Sequence, residues 1–381
     1  MADVLIAGGG LAGSALAIRF GRLGLSVELF ESASFPREKP CGEGLMPAGV
    51  AALDRLEIAD APEWAPFSGI HYHWNGKVAR GNFPQVRSVP AMGRGYRRRD
   101  LDLAMFSAAR STPGVTAYTD APVEAPRIEN GRVTGLIVAG AARQGRLVVA
   151  ADGAQSRLRH ALGLNAPARR KRVGMRAHFR LAPDQPLSER VDVYLGQGFE
   201  LYVTPLRKRE LLVAALARAE VLDGPLEAQY RRWLTSESAL ARRLQGAEQT
   251  SELRVTSPLS GRARRGWLPG LVLVGDAAGY TDPITGSGMT QALLAAELLA
   301  QFAAQGLDTA DRWLAEFDCA RAALLRDCRR MTALVLWLAD HPAFFGKALE
   351  AVGLWPRLMS HFLGVSGGVL RLWGGPVKTR S

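Results

Sequence analysis

The apolar positions 4–7 open the chain and break off at Gly8. From 11 to 23 apolar residues return at helical spacing until Gly24, and a second short apolar stretch, 26–30, is closed by Glu31. That order predicts strand, helix and strand within about thirty residues. A turn-rich segment, 35–44, follows, and a helix is predicted from near Pro47. Between about 68 and 88 the period becomes two. His71 and His73 fall on one face and Tyr72 and Trp74 on the other, and Asn75-Gly76 marks a hairpin. A helix over about 100–110 precedes strands at 115–118, 132–138 and 147–150. Alternation resumes at 173–180, 190–194, 200–205 and 210–216, followed by a helix near 226–234. The apolar run 271–274 then leads through a glycine-rich turn into a helix over 289–300, and from 311 the pattern is helical and rich in aromatic and aliphatic residues.

Composition narrows this picture. At 381 residues the chain can form one large or two moderate domains around a substantial core. The formal charge of +12 comes mainly from arginine, with short basic runs at Arg97-Arg98-Arg99 and Arg169-Arg170-Lys171-Arg172. Neither run is interleaved with aromatics, which argues against a nucleic-acid partner. Cys41, Cys319 and Cys328 do not make a disulfide framework. Nine positions separate the last two, which on one helix puts them on opposite faces. The six histidines form no metal-ligand spacing with the cysteines, so no metal is expected. With no basic leader pattern and no uncharged run of membrane-spanning length, the expectation is a reduced, cytoplasmic protein.

Three glycine-bearing segments carry the chemistry. Gly8-x-Gly10-x-x-Gly13 lies between the first strand and first helix. In that setting Gly8 permits the tight turn, Gly10 lets a pyrophosphate approach the backbone, and Gly13 lets helix and strand pack closely. Glu31, ending the second strand, can accept both hydroxyls of an adenosine ribose and opposes a 2′-phosphate. Far along the chain, Gly275-Asp276-Ala277-Ala278-Gly279 and Pro283-Ile284-Thr285-Gly286-Ser287-Gly288 make a second cradle. Its carboxylate can hold a hydroxyl, and its helix N-terminus favours an electron-rich group. The third segment, Asp152-Gly153-Ala154-Gln155-Ser156-Arg157, follows the strand that ends at Ala150. Taken alone it reads as a turn with Ser156 capping a helix.

With the three motifs in this order, the chain resembles the flavin-dependent monooxygenases related to p-hydroxybenzoate hydroxylase, close to the geranylgeranyl reductases and flavin-dependent halogenases. The resemblance implies an α/β (α+β) fold with a Rossmann-like FAD-binding domain built from 1–67, 92–172 and 255–310. A β-rich substrate domain, 68–91 and 173–254, is inserted in it, and a C-terminal helical cap covers 311–381. It further implies that Gly8, Gly10 and Gly13 hold the FAD pyrophosphate, Glu31 the ribose, and Asp276 the ribityl chain or pyrophosphate. Pro283, Gly286, Gly288 and Met289 would lie at the flavin, the last two placing N–H groups at its pyrimidine edge. Asp152 and Gly153 belong to a motif used around FAD and, in some members, NAD(P)H. Arg98 in Arg-x-x-Leu-Asp looks like the family's FAD-contacting arginine, or else is a solvated charge at a helix start. The segment Phe35-Pro36-Arg37-x-Lys39-Pro40-Cys41-Gly42-Glu43-Gly44 is similar to a stretch beside the isoalloxazine ring in geranylgeranyl reductases. There Arg37 would neutralise a phosphate or the reduced flavin, and Cys41 either lines the ring pocket or is a small buried thiol.

Two departures separate the relatives. The Trp-x-Trp-x-Ile-Pro motif of the halogenases is missing. The reductases' Tyr-x-Trp-x-Phe-Pro segment is matched by Glu200-Leu201-Tyr202-Val203-Thr204-Pro205, with Tyr202 where tryptophan would stand. The expected activity is therefore an NAD(P)H- and O2-using monooxygenase that hydroxylates an aromatic, polyketide or lipophilic small molecule through a flavin C4a-hydroperoxide. A polyprenyl-hydrogenating flavoenzyme is the alternative, and a non-catalytic flavin-binding sensor is the alternative of another class. His71, His73 and Tyr202 are candidate pocket residues able to activate a phenol, or simply sheet side chains. The aromatic C-terminal region, including Trp337, Phe344, Trp355 and Trp373, reads as a cap on the core or as a peripheral membrane contact.

Overall fold

The computed structural model describes residues 1–86, 89–167 and 171–377, with the side chains of Pro342 and Ala343 excepted. The basic pair Arg169-Arg170 and the last position of the 68–88 alternation lie outside the described residues. Two eight-stranded sheets carry the fold.

In the first sheet the strand Ala2–Ala7 sits between Val27–Phe30 and Ala141–Ala150, parallel to both. Val115–Tyr118 extends one side and Leu271–Leu273 the other, again in parallel. Ala7 pairs with both Phe30 and Ala150, so Gly8, Glu31 and Ala151 emerge together at the carboxyl ends of these strands. This is the crevice where open α/β sheets bind ligands. The strands read as near-continuous apolar runs because both faces are covered. Val4 and Ile6 pack under the helices Leu11–Arg22, Arg98–Ser111 and Gly288–Ala303, while Leu5 and Ala7 join a second core. An antiparallel strand, Val123–Glu129, escaped the sequence pattern because Pro126 sits inside it. It is an edge strand paired only with Arg132–Val138, a setting that tolerates a missing N–H.

The second sheet is almost wholly antiparallel. Its central strands, Arg172–Arg180, Glu210–Arg218, Phe199–Pro205 and Val191–Leu195, lie side by side in that order. The early hairpin Gly69–Trp74 and Lys77–Asn82 joins this sheet through a parallel pairing of Gly69–Trp74 with Val191–Leu195. Asn75 and Gly76 turn the hairpin with φ of 47° and 75°, the pair of positive values that a type I′ turn requires. Arg254–Thr256 also pairs with Arg172–Arg180, so the sheet runs past residue 254. One face is sealed by Tyr230 and Trp233 of the helix Leu226–Ser236. The other carries Ile70, Tyr72, Val193 and Tyr202 into a cluster with Met46, Phe67 and Phe345.

Four helices, Ala310–Leu324, Arg326–Ala339, Pro342–Leu354 and Pro356–Ser366, make the C-terminal region. Phe345, Met359 and Leu363 pack on Ile70 and Ala79, closing the edge of the second sheet. The chain breaks between the first two helices. Cys319 is exposed on one and Cys328 buried on the next, so the two thiols do not share the single helix that their spacing suggested. Trp337, Phe344, Leu354, Trp355 and Trp373 are exposed. Among the described residues no helix is long and apolar enough to cross a membrane.

Candidate cofactor and substrate site

At the first glycine turn, packing dictates two of the three glycines. A Cβ on Gly13 would collide with the Gly8 carbonyl, and one on Gly8, where φ is +101°, would collide with the backbone of Ala151. Gly10 differs. It faces open space, with Arg37 Nη2 at 3.6 Å from a Cβ built there, and it lines the large cavity described below. Glu31 is buried beside the turn, where its Oε2 accepts the Gly9 N–H at 2.9 Å and its Oε1 the Ala33 N–H at 3.1 Å.

Arg37 bridges Glu31 at 3.2 Å and Asp102 at 3.0 Å. Asp102 is fully buried and takes two parallel bonds of 2.9 Å from the Arg98 guanidinium. Burial alone would depress Arg98, but Asp102 and Cys41 beside it outweigh that effect and raise it. Arg98 is thus a buried cation on the cavity wall and not a solvated helix-start charge. The same stretch contains a network with no sequence motif. Glu43, at φ 57°, accepts the Arg98 backbone N–H at 3.0 Å through Oε1, and its Oε2 stands 2.8 Å from His178 Nε2. His178 is inaccessible and meets Ser251 Oγ at 2.9 Å through Nδ1. Arg176, next to it, reaches Glu38 at 2.6 Å. The segment that carries Cys41 is thereby fastened to the second sheet, and the Cys41 thiol itself lines the cavity.

The third motif is a helix start: Ser156 Oγ accepts the Arg159 N–H at 3.0 Å. Arg159 then donates to the carbonyls of Asp276 and Ala277 at 3.2 and 2.9 Å, tying this turn to the second cradle. Asp152 accepts the Leu158 N–H through Oδ2, its buried Oδ1 meets no hydrogen-bond partner among the described residues, and burial raises its pKa. Gly153 and Asp276 line the cavity, the latter 3.5 Å from Lys39 Nζ.

The second cradle is held from the second sheet. Arg172 lies between Glu200 and Asp282, at 3.1 Å from the Asp282 Oδ1 that also accepts the Ile284 N–H. Tyr202 Oη donates to the Ile284 carbonyl at 2.9 Å. Burial pushes Glu200 up to about 7, even with Arg172 in contact. Pro283, Gly286, Gly288 and Met289 all reach the cavity, and no atom lies within 4 Å of a Cβ built on Gly286 or Gly288.

Between the cradles and the second sheet runs one cavity of about 320 Å³. Its far half is walled by Met46, Phe67, Ile70, Tyr72, Val191 and Tyr202. Burial raises both tyrosines, Tyr72 to about 12, so both stay protonated at neutral pH. His71 and His73 do not line this cavity. They project from the opposite face of the sheet, because in strand Gly69–Trp74 it is Ile70 and Tyr72 that turn toward the core.

The site fits a flavin dinucleotide on its own geometry. Gly10, Gly286 and Gly288 leave backbone open where a ligand would approach, and Lys39 and the buried Arg98 place cationic side chains on the cavity wall. Residues 1–324 match the FAD binding domain family. The chain is 30% identical over 317 residues to a menaquinone reductase of Mycobacterium tuberculosis, covering 78% of this chain and 76% of that protein. It is 29% identical over 328 residues to the squalene epoxidase erg1 of Schizosaccharomyces pombe, covering 79% and 69%. A flavoprotein/dehydrogenase from Cytophaga hutchinsonii superposes with a TM-score of 0.83 at 22% identity, over 96% of this chain and 92% of that one. Matched along most of its length and fitted by its own glycine cradles, the chain belongs to the FAD binding domain family and is an FAD-dependent oxidoreductase.

Proposed function

We propose that the protein saturates a carbon–carbon double bond of a polyisoprenoid lipophile, with NAD(P)H as the source of electrons. The observation that carries this reading is the far half of the cavity. It is apolar, its two tyrosines are neutral, and no histidine lines it. A phenol hydroxylase gains from a base that deprotonates its substrate, and an alkene needs none. This favours the alkene-saturating alternative over the monooxygenase of an aromatic, polyketide or lipophilic small molecule that the sequence preferred. The menaquinone and squalene in the relatives' names are both isoprenoid, which supports the substrate class.

In this reading Gly8, Gly10 and Gly13 place backbone N–H groups at the pyrophosphate and Arg37 balances its charge. Glu31 receives the ribose. Gly288 and Met289 present N–H groups to the electron-rich ring edge, and Asp276 and Lys39 flank the linker. Bound there, FAD would supply two electrons as a hydride equivalent, and the protonated Tyr72 hydroxyl on the cavity wall would supply the proton that completes the saturated bond. Arg98, Glu43 and His178 hold the Cys41 wall in place, and Phe67, Ile70 and Tyr72 exclude water from the alkene. The exposed aromatics of the C-terminal helices suit delivery of a lipophile from a membrane surface, and three free cysteines suit a cytoplasmic setting.

The test is a single-turnover reaction. FAD-loaded protein, reduced without oxygen by NADH or NADPH, is mixed with menaquinone or squalene and the product weighed by mass spectrometry. A gain of two hydrogens on squalene, or one on menaquinone that survives reoxidation of its quinol, supports the proposal. A product formed only on admitting oxygen, and heavier by one oxygen atom, overturns it in favour of an oxygenase acting on the same class of alkene.

A further inference from the structure

His71 and His73 stand on the back of the substrate sheet, where the parallel register sets them beside Asp192 and Tyr194. His73 Nε2 lies 2.8 Å and His71 Nδ1 3.5 Å from Asp192 Oδ1. One donor atom from each of the three residues falls within 4.8 Å of the others. Tetrahedral coordination with bonds of about 2.0–2.1 Å places ligand atoms roughly 3.3 Å apart, and the two measured separations straddle that value. We propose that His71, His73 and Asp192 form a binding site for a divalent first-row transition-metal ion such as zinc, with its fourth position open to water.

The surroundings suit this role. The His73 ring stacks on Tyr194 with centroids 4.3 Å apart and planes 16° from parallel, which fixes its orientation. Arg243 Nη1 donates to Asp192 Oδ2 at 2.7 Å, holding the carboxylate so that Oδ1 faces the imidazoles. Outer contacts of this kind orient the ligands of known sites. Both histidines are partly exposed, so an ion reaches them without any opening of the fold. Arg80 and Arg190 face His71, Arg243 faces Asp192, and Glu237 faces His73. Calcium and magnesium take oxygen ligands, whereas an imidazole pair suits zinc, nickel or copper.

Such an ion would staple strand Gly69–Trp74 to strand Val191–Leu195. The opposite face of those strands supplies Ile70, Tyr72 and Val191 to the cavity. Nothing in this inference depends on the reaction carried out there.

The test titrates cobalt(II) into chelator-treated, FAD-loaded protein and follows the ligand-field absorption at wavelengths beyond the flavin bands. The expected result is a saturable band at one equivalent that zinc displaces. His73→Gln and Asp192→Asn should each weaken binding more than tenfold, and His361→Gln should leave it unchanged. Retained flavin absorbance shows that a variant is folded; His71→Gln, at the more exposed histidine, is read the same way if either of the first two loses flavin. Absence of a stoichiometric band, or a band that persists at full strength in the His71→Gln/His73→Gln double variant, overturns the proposal.

Discussion

The first glycine turn is closed at two of its three glycines: a side chain at Gly13 would strike the Gly8 carbonyl, and one at Gly8 would strike Ala151. The second turn, only a few ångströms away, is open. A Cβ on Gly275 would sit 3.1 Å from Ala12, while Gly286 and Gly288 face no atom within 4 Å. Glycine therefore serves the protein's own packing in one place. In the other it serves the left-handed backbone of Gly286, with φ at +66°, and the access of a ligand to Gly288. Two turns of similar composition thus predict different failures.

Of the two turns, the first should show the larger effect on folding, in Gly13→Ala. Overpacking at so tight a crossing costs roughly 1–3 kcal/mol, and the FAD-free protein should unfold several degrees below wild type in a thermal melt. An FAD-free variant that melts with wild type would remove the contrast. Gly288→Ala should do the reverse. At the first position of a helix alanine is tolerated, so the FAD-free melt should stay within about 0.5 kcal/mol of wild type. FAD affinity, read by fluorescence quenching, should fall about tenfold, a loss of about 1.4 kcal/mol. Unchanged affinity would mean that the ligand keeps clear of Gly288.

A pH-dependent effect is expected at the Arg172–Glu200–Asp282 cluster that grips the open turn from the second sheet. Glu200 is raised by burial from 4.5 to about 7, so the folded chain holds this proton more tightly than the unfolded one. The stability linked to that proton is fully present below about pH 4.5 and is lost as the pH rises through about 7. Glu200→Gln cannot titrate. Thermal melts of the two proteins should therefore show wild type losing ground to the variant between about pH 5 and about pH 8. A constant difference across that window would show that Glu200 is already ionised in the fold at pH 5.

These constraints differ in how far they can be read from the sequence. Gly8, Gly10, Gly13 and Glu31 announce themselves because strand, turn and helix are adjacent in the chain. The pairing of the early hairpin with later strands is suggested by its period of two, which separates His71 and His73 from Tyr72 and Trp74. Period alone does not say which face meets the cavity. Ile70, aligned with Tyr72, was the available signal that the histidines point the other way. The Glu43–His178 and Arg172–Asp282 contacts join residues 135 and 110 positions apart. No short pattern records them, since each polar group merely had to find a partner once burial removed water. Asp192 is invisible for the same reason, standing 119 residues from the histidine it meets.

The parallel first sheet also sets a timetable for the chain as it is made. Ala2–Ala7 finds Val27–Phe30 at once, but its other neighbour is Ala141–Ala150, and the strand after that is Leu271–Leu273. At ordinary elongation rates the edge beyond Ala150 waits on the order of ten seconds or more for its partner to leave the ribosome. All that while the substrate sheet is being synthesised between them, and an unpaired, apolar strand edge is a place for wrong partners to add. The cofactor cradle is therefore the first part of the site to be written and among the last to be finished.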